Sequence, residues 1–216
     1  MSKGPGFSGD HGERPWRTHA LPAHPASDPR EYGEAWGRLA DALAGFLDDL
    51  AESLPEQSQV ESLAADLEGW SGTLQPLAVP ERDRVYGRRT DLDGRGQVTS
   101  PALSVVASGA DHVEATVRFG PYFLGGNMAA HGGTVPLMFD EVLGRLAQSG
   151  GRPASRTAYL HTDYRAITPI GPTLTVRAWV VSHEGRKYVL RATLHHGETL
   201  CAECEGLFVT LNPGQP

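Results

Sequence analysis

The residues in this sequence best suited to chemistry are a short glycine-rich segment and one carboxylate that follows it. His131-Gly132-Gly133 comes directly before a mostly apolar stretch, and Asp140 lies within that stretch, eight residues after Gly132. The stretch predicts a helix, in which Pro136 is tolerated because it falls within the first turn. Glycines let the backbone approach a ligand closely, and the free N–H groups at a helix N-terminus favour an oxygen that carries negative charge. Such donors paired with a carboxylate are typical of acyl-transfer chemistry.

Composition and charge restrict the class of protein that contains this segment. The chain has 216 residues, 39% hydrophobic and 21% charged, which is enough for one well-buried domain and an appendage. It has no apolar run of membrane-spanning length and no signal-peptide order at its start, so we expect a cytoplasmic protein. Two cysteines give no disulfide framework, and we expect neither a metal site nor a cofactor.

The net charge of −7 is unevenly distributed along the chain. Residues 1–80 carry 5 basic and 13 acidic side chains, whereas residues 81–216 carry 14 and 13. The acidic first part argues against a nucleic-acid partner. The nearly neutral remainder leaves room for a local basic patch that could bind a phosphorylated ligand.

The pattern of the N-terminal part of the chain predicts an extension of a main domain. Residues 1–27 are rich in Gly, Pro, His and Ser and predict a disordered leader. Asp28 and Pro29 favour a helix start, and two amphipathic helices are predicted within residues 28–75. We expect both helices to pack on the main domain. Residues 76–100 contain several turn signals and predict a connector.

From about residue 101 the apolar residues recur with the period of two that is typical of strands. Two strands are predicted before the helix and four after it, at 102–107, 112–119, 157–166, 174–180, 188–194 and 200–208. In the strand over 157–166, simple alternation places Thr157 on the same face as His161 and Asp163. An antiparallel sheet that curls around the single long helix is the simplest arrangement, so we predict an α+β domain over residues 101–212.

This order of elements and the motif Asn127-x3-His131-Gly132-Gly133-x6-Asp140 resemble the hotdog-fold acyl-CoA thioesterases of the PaaI and THEM kind. The resemblance covers roughly residues 101–211. Three later segments add to it: Thr157-Ala158-x-Leu160, Asp163-Tyr164-Arg165 and Glu184-Gly185-Arg186-Lys187-Tyr188. It implies a hotdog fold, with the helical N-terminal extension outside it, and hydrolysis of acyl-CoA to free acid and CoA.

The resemblance also implies roles for the residues of the motif. Asp140 would act as general base or nucleophile, the Gly132 N–H would polarise the thioester carbonyl, and Thr157 would hydrogen-bond to the attacking water or to Asp140. An ordinary strand threonine is an equally good interpretation of Thr157. His131 and Asn127 would fix the loop and the acyl carbonyl. A second carboxylate beside Asp140, Glu141, departs from the pattern, and we expect it to be structural or solvated.

Coenzyme A brings phosphates, and the basic residues placed by the resemblance to bind them are Arg165, Arg186 and Lys187. A solvated hairpin turn is an equally good interpretation of this basic segment. Asp163 could contact the pantetheine amides or pair with Arg165, two residues along on the same face. Gly133, the second glycine of the loop, is also predicted to contact substrate.

The distance between Gly132 and Asp140 along a helix leads to a prediction about the oligomeric state. Gly132 and Asp140 lie about 12 Å apart along one helix, so a single thioester cannot contact both within the same chain. We therefore predict a homodimer with two composite sites, which could pair further into a tetramer. Two alternatives are a non-catalytic acyl-CoA-binding or scaffolding hotdog protein and a hotdog dehydratase or hydratase. The dehydratase needs a His general base paired with an acid, whereas the His-Gly-Gly loop favours hydrolysis.

Overall fold

A computed structural model describes residues 32–212 and 214 of the chain. The predicted leader (1–27) and the predicted helix start at Asp28 lie outside the described residues. In the described part, the helices are α1 (Ala35–Glu52), α2 (Gln57–Leu74) and α3 (Thr134–Ala147). The strands are β1 (Leu103–Ser108), β2 (His112–Arg118), β3 (Leu124–Gly126), β4 (Ala129–Ala130), β5 (Ser155–Tyr164), β6 (Thr173–Glu184), β7 (Lys187–His196) and β8 (Thr199–Thr210).

Six of these strands form one antiparallel sheet in the order β1-β2-β6-β7-β8-β5, and α3 packs against β2, β5, β6, β7 and β8. The six predicted strands and the helix that they enclose are thus confirmed. Sequence periodicity did not predict the short pair β3–β4, whose turn contains Asn127 and Met128 with φ of 50° and 61°. Two successive positive φ values are typical of a tight hairpin turn, and Asn tolerates them better than most residues.

The core lies between α3 and the sheet. Met138, Phe139, Val142, Leu143 and Leu146 are fully buried, at the 3–4 residue spacing of a helix that faces a sheet. In the single chain, one side of this helix is not covered. A stripe consisting of Leu137, Asp140 and Gly144 remains outside the core, and Leu137 is 41% exposed.

A β-bulge in β5 corrects the predicted alternation of this strand. Thr157 pairs with Phe208 of β8 and Tyr159 pairs with the adjacent Leu207, so Ala158 is an extra residue in β5. The extra residue moves Thr157 to the α3 side of the sheet, whereas His161 and Asp163 remain on the outer side. Simple alternation was wrong here because it assumes an uninterrupted ladder.

The two N-terminal helices differ in how they contact the domain. In α1, Trp36 Nε1 donates to the Gly96 carbonyl at 2.9 Å, and Asp48 Oδ1 accepts from the Tyr122 N–H at 2.9 Å. Neither helix has a fully buried residue, and in α2 Trp70 is 68% exposed. The expectation that both helices pack on the main domain therefore holds for α1 and is wrong for α2, whose Val60, Leu67 and Trp70 stay exposed within the described part of the chain. No described helix is long and apolar enough to cross a membrane.

Candidate active site

The Asp140 carboxylate lies on α3, where it is held by a side chain from the sheet. Thr157 Oγ1 donates a hydrogen bond to Asp140 Oδ1 at 2.7 Å. This contact requires the bulge at Ala158, because without the extra residue Thr157 would lie on the outer side of the sheet. Asp140 is half-buried and borders a cleft of about 460 Å³. One acceptor oxygen is therefore positioned by Thr157, and the group opens onto a space that a ligand can enter.

The turn before α3 leaves one glycine amide available. The Gly133 N–H donates to His131 Nδ1 at 3.0 Å, and the Thr134 N–H donates to the His131 carbonyl at 2.9 Å. Since Nδ1 acts as an acceptor, the ring proton lies on Nε2, and His131 stabilises the turn. Within the described part of the chain, the Gly132 N–H has no hydrogen-bond acceptor. Of the two glycine amides, Gly132 is the one that remains open to a ligand.

Tyr164, at the end of β5, fixes the peptide that follows Gly132. Its hydroxyl donates to the Gly132 carbonyl oxygen. Desolvation, with a smaller contribution from Cys204, raises the pKa of the Tyr164 phenol above its usual value of 10, which favours the protonated form that donates this hydrogen bond. Sequence reasoning quoted Tyr164 only as part of a motif. The signal that could have identified it is its position on the face of β5 that also presents Leu160 and Thr162 to α3.

Glu141 has the structural role expected for it. Its side chain is 8% exposed and accepts from Arg95 Nη2 at 2.6 Å and from Arg145 Nε at 3.0 Å. Arg145 lies one helical turn further along α3, whereas Arg95 comes from the connector, 46 residues earlier in the chain. Sequence reasoning missed both arginines as neighbours of Asp140. No local pattern connects Arg95 to the helix, since only the fold brings the connector there.

The residues predicted to bind CoA are placed in two groups. Asp163 and Arg165 lie on the outer side of the sheet, away from Asp140, and pair with each other at 3.2 Å. Arg165 also donates to Glu203 at 2.7 Å, so the pairing alternative is the one observed in the single chain.

The second group lies at the end of the sheet nearer to Thr157. Arg186 Nη1 donates to the Thr210 carbonyl at 3.1 Å, and the neighbouring Lys187 is exposed in the β6–β7 hairpin. Phe208 connects the two regions, because it pairs with Thr157 on one side and with Tyr188 on the other. Asn127 is exposed in the β3–β4 turn. The roles of Gly133, Asn127 and these CoA-binding candidates stay predictions.

Comparisons with known proteins agree with this architecture. Residues 127–203 match the family model described as Thioesterase superfamily. No curated protein matches the chain. The crystal structure of RHA08564, a thioesterase superfamily protein, aligns with a TM-score of 0.70 and 28% identity, covering 82% of this chain and 96% of that one.

Two further structures are more distant. The smu.793 protein of Streptococcus mutans UA159, bound to acetyl CoA, aligns with a TM-score of 0.50 and 20% identity over 54% of this chain and 93% of that one. The PaaI protein of E. coli aligns with a TM-score of 0.48 and 18% identity over 51% and 80%. The chain thus has the hotdog fold, and the segment that contains Gly132, Asp140 and Thr157 lies within the thioesterase superfamily match.

Proposed function

We propose that this protein is an acyl-CoA thioesterase of the PaaI or THEM type that hydrolyses thioesters to a free acid and CoA in the cytoplasm. The observation that carries the proposal is the Asp140 carboxylate on a largely buried helix, held by Thr157 and open to a cleft. A half-buried carboxylate with a positioned donor and an accessible second oxygen suits proton abstraction from water or direct attack on a carbonyl. The fold also accommodates acetyl CoA in smu.793, which makes acyl-CoA the first substrate to test.

In the proposed reaction, the thioester carbonyl oxygen accepts from the Gly132 N–H, and negative charge develops on that oxygen as the carbon is attacked. Because the N–H lies at the start of α3, the helix dipole adds to its stabilisation of the oxyanion. Asp140 either deprotonates the attacking water or attacks the carbon itself to give a mixed anhydride. Thr157 orients the carboxylate through Oδ1, which leaves Oδ2 to face the reacting atoms.

The proposed site is shared between two subunits. Gly132 and Asp140 are separated by about 12 Å along one chain, too far to contact the same carbonyl group. A second copy running antiparallel supplies the missing half to each site. The exposed stripe on α3, with Leu137 at 41% exposure next to Asp140, gives this copy an apolar surface to cover. We propose a homodimer, which could pair further into a tetramer.

Release of free thiol from a panel of acyl-CoA thioesters tests the activity directly. We expect wild-type protein to release CoA, and Asp140→Asn, which keeps an acceptor oxygen for Thr157, to lose about three orders of magnitude in kcat. Tight CoA binding without thiol release would instead favour the non-catalytic binding protein. Gain or loss of water at an enoyl bond would favour the dehydratase or hydratase.

Co-expression of two inactive chains tests the shared site. Gly132→Pro removes the N–H, whereas the control Gly132→Ala keeps it, and an added Cβ there meets nothing nearer than the Tyr164 hydroxyl at 3.8 Å. Random pairing of Gly132→Pro and Asp140→Asn chains makes about half of the dimers mixed, each with one intact site, so about a quarter of wild-type activity should return. No recovery in verified mixed dimers would refute the composite site.

A further inference from the structure

We infer that Asp48 of α1 is a positioning residue for the Gly132 amide, so that the N-terminal extension takes part in the proposed reaction. This inference rests on the proposed function and adds to it a residue outside the segment 127–203 that matches the family. The Asp48 carboxylate acts through the loop over residues 120–133, which connects β2 to α3. Such an indirect contribution is expected because an oxyanion donor is effective only when its position is fixed before the reaction begins.

The Asp48 carboxylate holds the start of this loop. Its Oδ1 accepts a hydrogen bond at 2.9 Å from the Tyr122 N–H, 74 residues later in the chain. Gly120 packs directly against the same carboxylate, and an added Cβ at Gly120 would collide with both carboxylate oxygens. Asp48 is half-buried, so water competes less for the Tyr122 N–H than it would at an exposed site. Glycine at position 120 thus allows α1 to hold the loop by its backbone.

A continuous series of contacts connects this end of the loop to the Gly132 turn. The Phe123 N–H donates to the Gly120 carbonyl at 3.0 Å, and the Phe123 carbonyl accepts from the His131 N–H at 2.7 Å. Gly125 packs against the His131 backbone, where an added Cβ would lie 2.7 Å from the His131 Cα. His131 stabilises the turn that contains Gly132 through its ring and its carbonyl. A shift of the first part of the loop therefore moves the residue that fixes the Gly132 amide.

The two parts of the loop are held by different elements. The second part is held by the segment after β5, because the Ala130 N–H donates to the Thr168 carbonyl at 2.8 Å and the Ile170 N–H donates to the Met128 carbonyl at 3.0 Å. The first part packs against α1, and among residues 32–212 Asp48 is the one side chain that hydrogen-bonds to residues 121–123. Loss of the Asp48 carboxylate therefore releases the first part of the loop while the second part stays attached.

The rate of acyl-CoA hydrolysis by single variants gives the first measurement. We expect Asp48→Ala to lower kcat about 5- to 10-fold, since it removes a hydrogen bond to a charged group that supports the oxyanion donor. KM should change less than about twofold, because the Gly132 amide acts mainly on the transition state. Asp48→Asn keeps an acceptor oxygen for the Tyr122 N–H and should retain most of the activity. Asp49→Ala, which removes the neighbouring exposed carboxylate of α1, is the control and should match wild type.

A substitution on the other side of the contact tests the same step independently. Gly120 has a φ of −74°, which alanine also adopts, so Gly120→Ala displaces the Asp48 carboxylate without straining its own backbone. We expect Gly120→Ala to lower kcat by a factor similar to that of Asp48→Ala. In the Asp48→Ala background it should cost little more, because the group that it displaces is already gone.

Mixed dimers show whether Asp48 acts through Gly132 or through general stability. In a dimer of one Asp140→Asn chain and one Gly132→Pro chain, the intact site takes Gly132 from the first chain and Asp140 from the second. Asp48→Ala in the chain that supplies Gly132 should lower the activity of this dimer about 5- to 10-fold. The same substitution in the chain that supplies Asp140 should leave the activity unchanged. A general loss of stability would lower both by the same factor.

The outcomes for this inference and for the proposed function are distinct. Wild-type kcat in both Asp48→Ala and Gly120→Ala, or an equal loss in the two mixed dimers, refutes the positioning role and leaves the proposed function intact. If circular dichroism shows that Asp48→Ala does not fold, Gly120→Ala replaces it in the mixed dimers and decides the question. Inactive mixed dimers refute the shared site, and the double-substitution comparison of Asp48 and Gly120 then decides. Failure of the wild type to release thiol from any acyl-CoA refutes the proposed function, and this inference with it.

Discussion

Replacing Thr157 by valine tests the contact on which the candidate site depends. Valine has nearly the same shape as threonine but lacks the Oγ1–H that donates to Asp140 at 2.7 Å. Within residues 32–212, no other hydrogen bond to the Asp140 side chain is found. In Thr157→Val the carboxylate therefore keeps its place on α3 and loses the group that orients it.

The size of the effect follows from the type of hydrogen bond and its exposure. A hydrogen bond to a charged group contributes about 1.5–3 kcal/mol, and the lower end applies because Asp140 is only half-buried and water can replace the donor. About 1.5–2 kcal/mol corresponds to a fall of roughly 10- to 30-fold in kcat. KM should change little, because Thr157 contacts the carboxylate and not the bound thioester. The free energy of unfolding should also fall, by no more than about 2 kcal/mol, because the same hydrogen bond is lost from the folded state.

Steady-state hydrolysis of the preferred acyl-CoA, with urea unfolding of each variant, measures both quantities. Thr157→Ser keeps the hydroxyl and should retain most of the activity. In an Asp140→Asn background the valine substitution should cost little more, because the two residues act together. A Thr157→Val protein with wild-type kcat, or one whose loss is the same in both backgrounds, would contradict the role given to this hydrogen bond.

Three further changes have clear expected outcomes. Tyr164→Phe removes the donor to the Gly132 carbonyl and should lower kcat about 5- to 20-fold. The acid side of the pH profile of kcat should not change. An unchanged kcat in stopped assays would refute this positioning role. Glu141→Gln leaves two arginines without their shared carboxylate and should cost about 2 kcal/mol of stability in urea unfolding, so an unshifted midpoint would contradict it. Burial raises the pKa of the Cys201 and Cys204 thiols in the folded protein. As the pH rises above about 9, the thiols of the unfolded chain release protons before those of the folded chain, so the free energy of unfolding should fall. A urea midpoint that stays constant between about pH 8 and 10 would argue against this.

Local periodicity was sufficient to predict the parts of the fold that positioned the motif. Helix α3 could be predicted because its apolar residues follow the helical period and Pro136 marks its first turn. The six long strands could be predicted because each alternates against a single core face. The role of Glu141 also followed from the sequence, since it lies about 100° around the helix from Asp140. These are properties of neighbouring residues along one element.

The features that sequence reasoning missed depend on relations between elements. The bulge at Ala158 is defined by how β5 pairs with β8, and no residue type in the strand marks it, so Thr157 was assigned to the wrong face. Arg95 reaches Glu141 only because α1 fixes the connector, and its positive φ is not signalled by a glycine. Both cases show that pairing between distant segments decides which side chains share a cleft.

The proposed dimer restricts the register of its two helices. If Asp140 of one subunit stands opposite Gly132 of the partner subunit on an antiparallel helix, the two-fold axis must pass beside Pro136, halfway between them along α3. Residues 134–138 of each helix then lie beside the same residues of the partner helix, so the 41% exposed Leu137 lies within the contact. From Phe139 onward, α3 lies beside the segment that precedes the helix of the partner subunit.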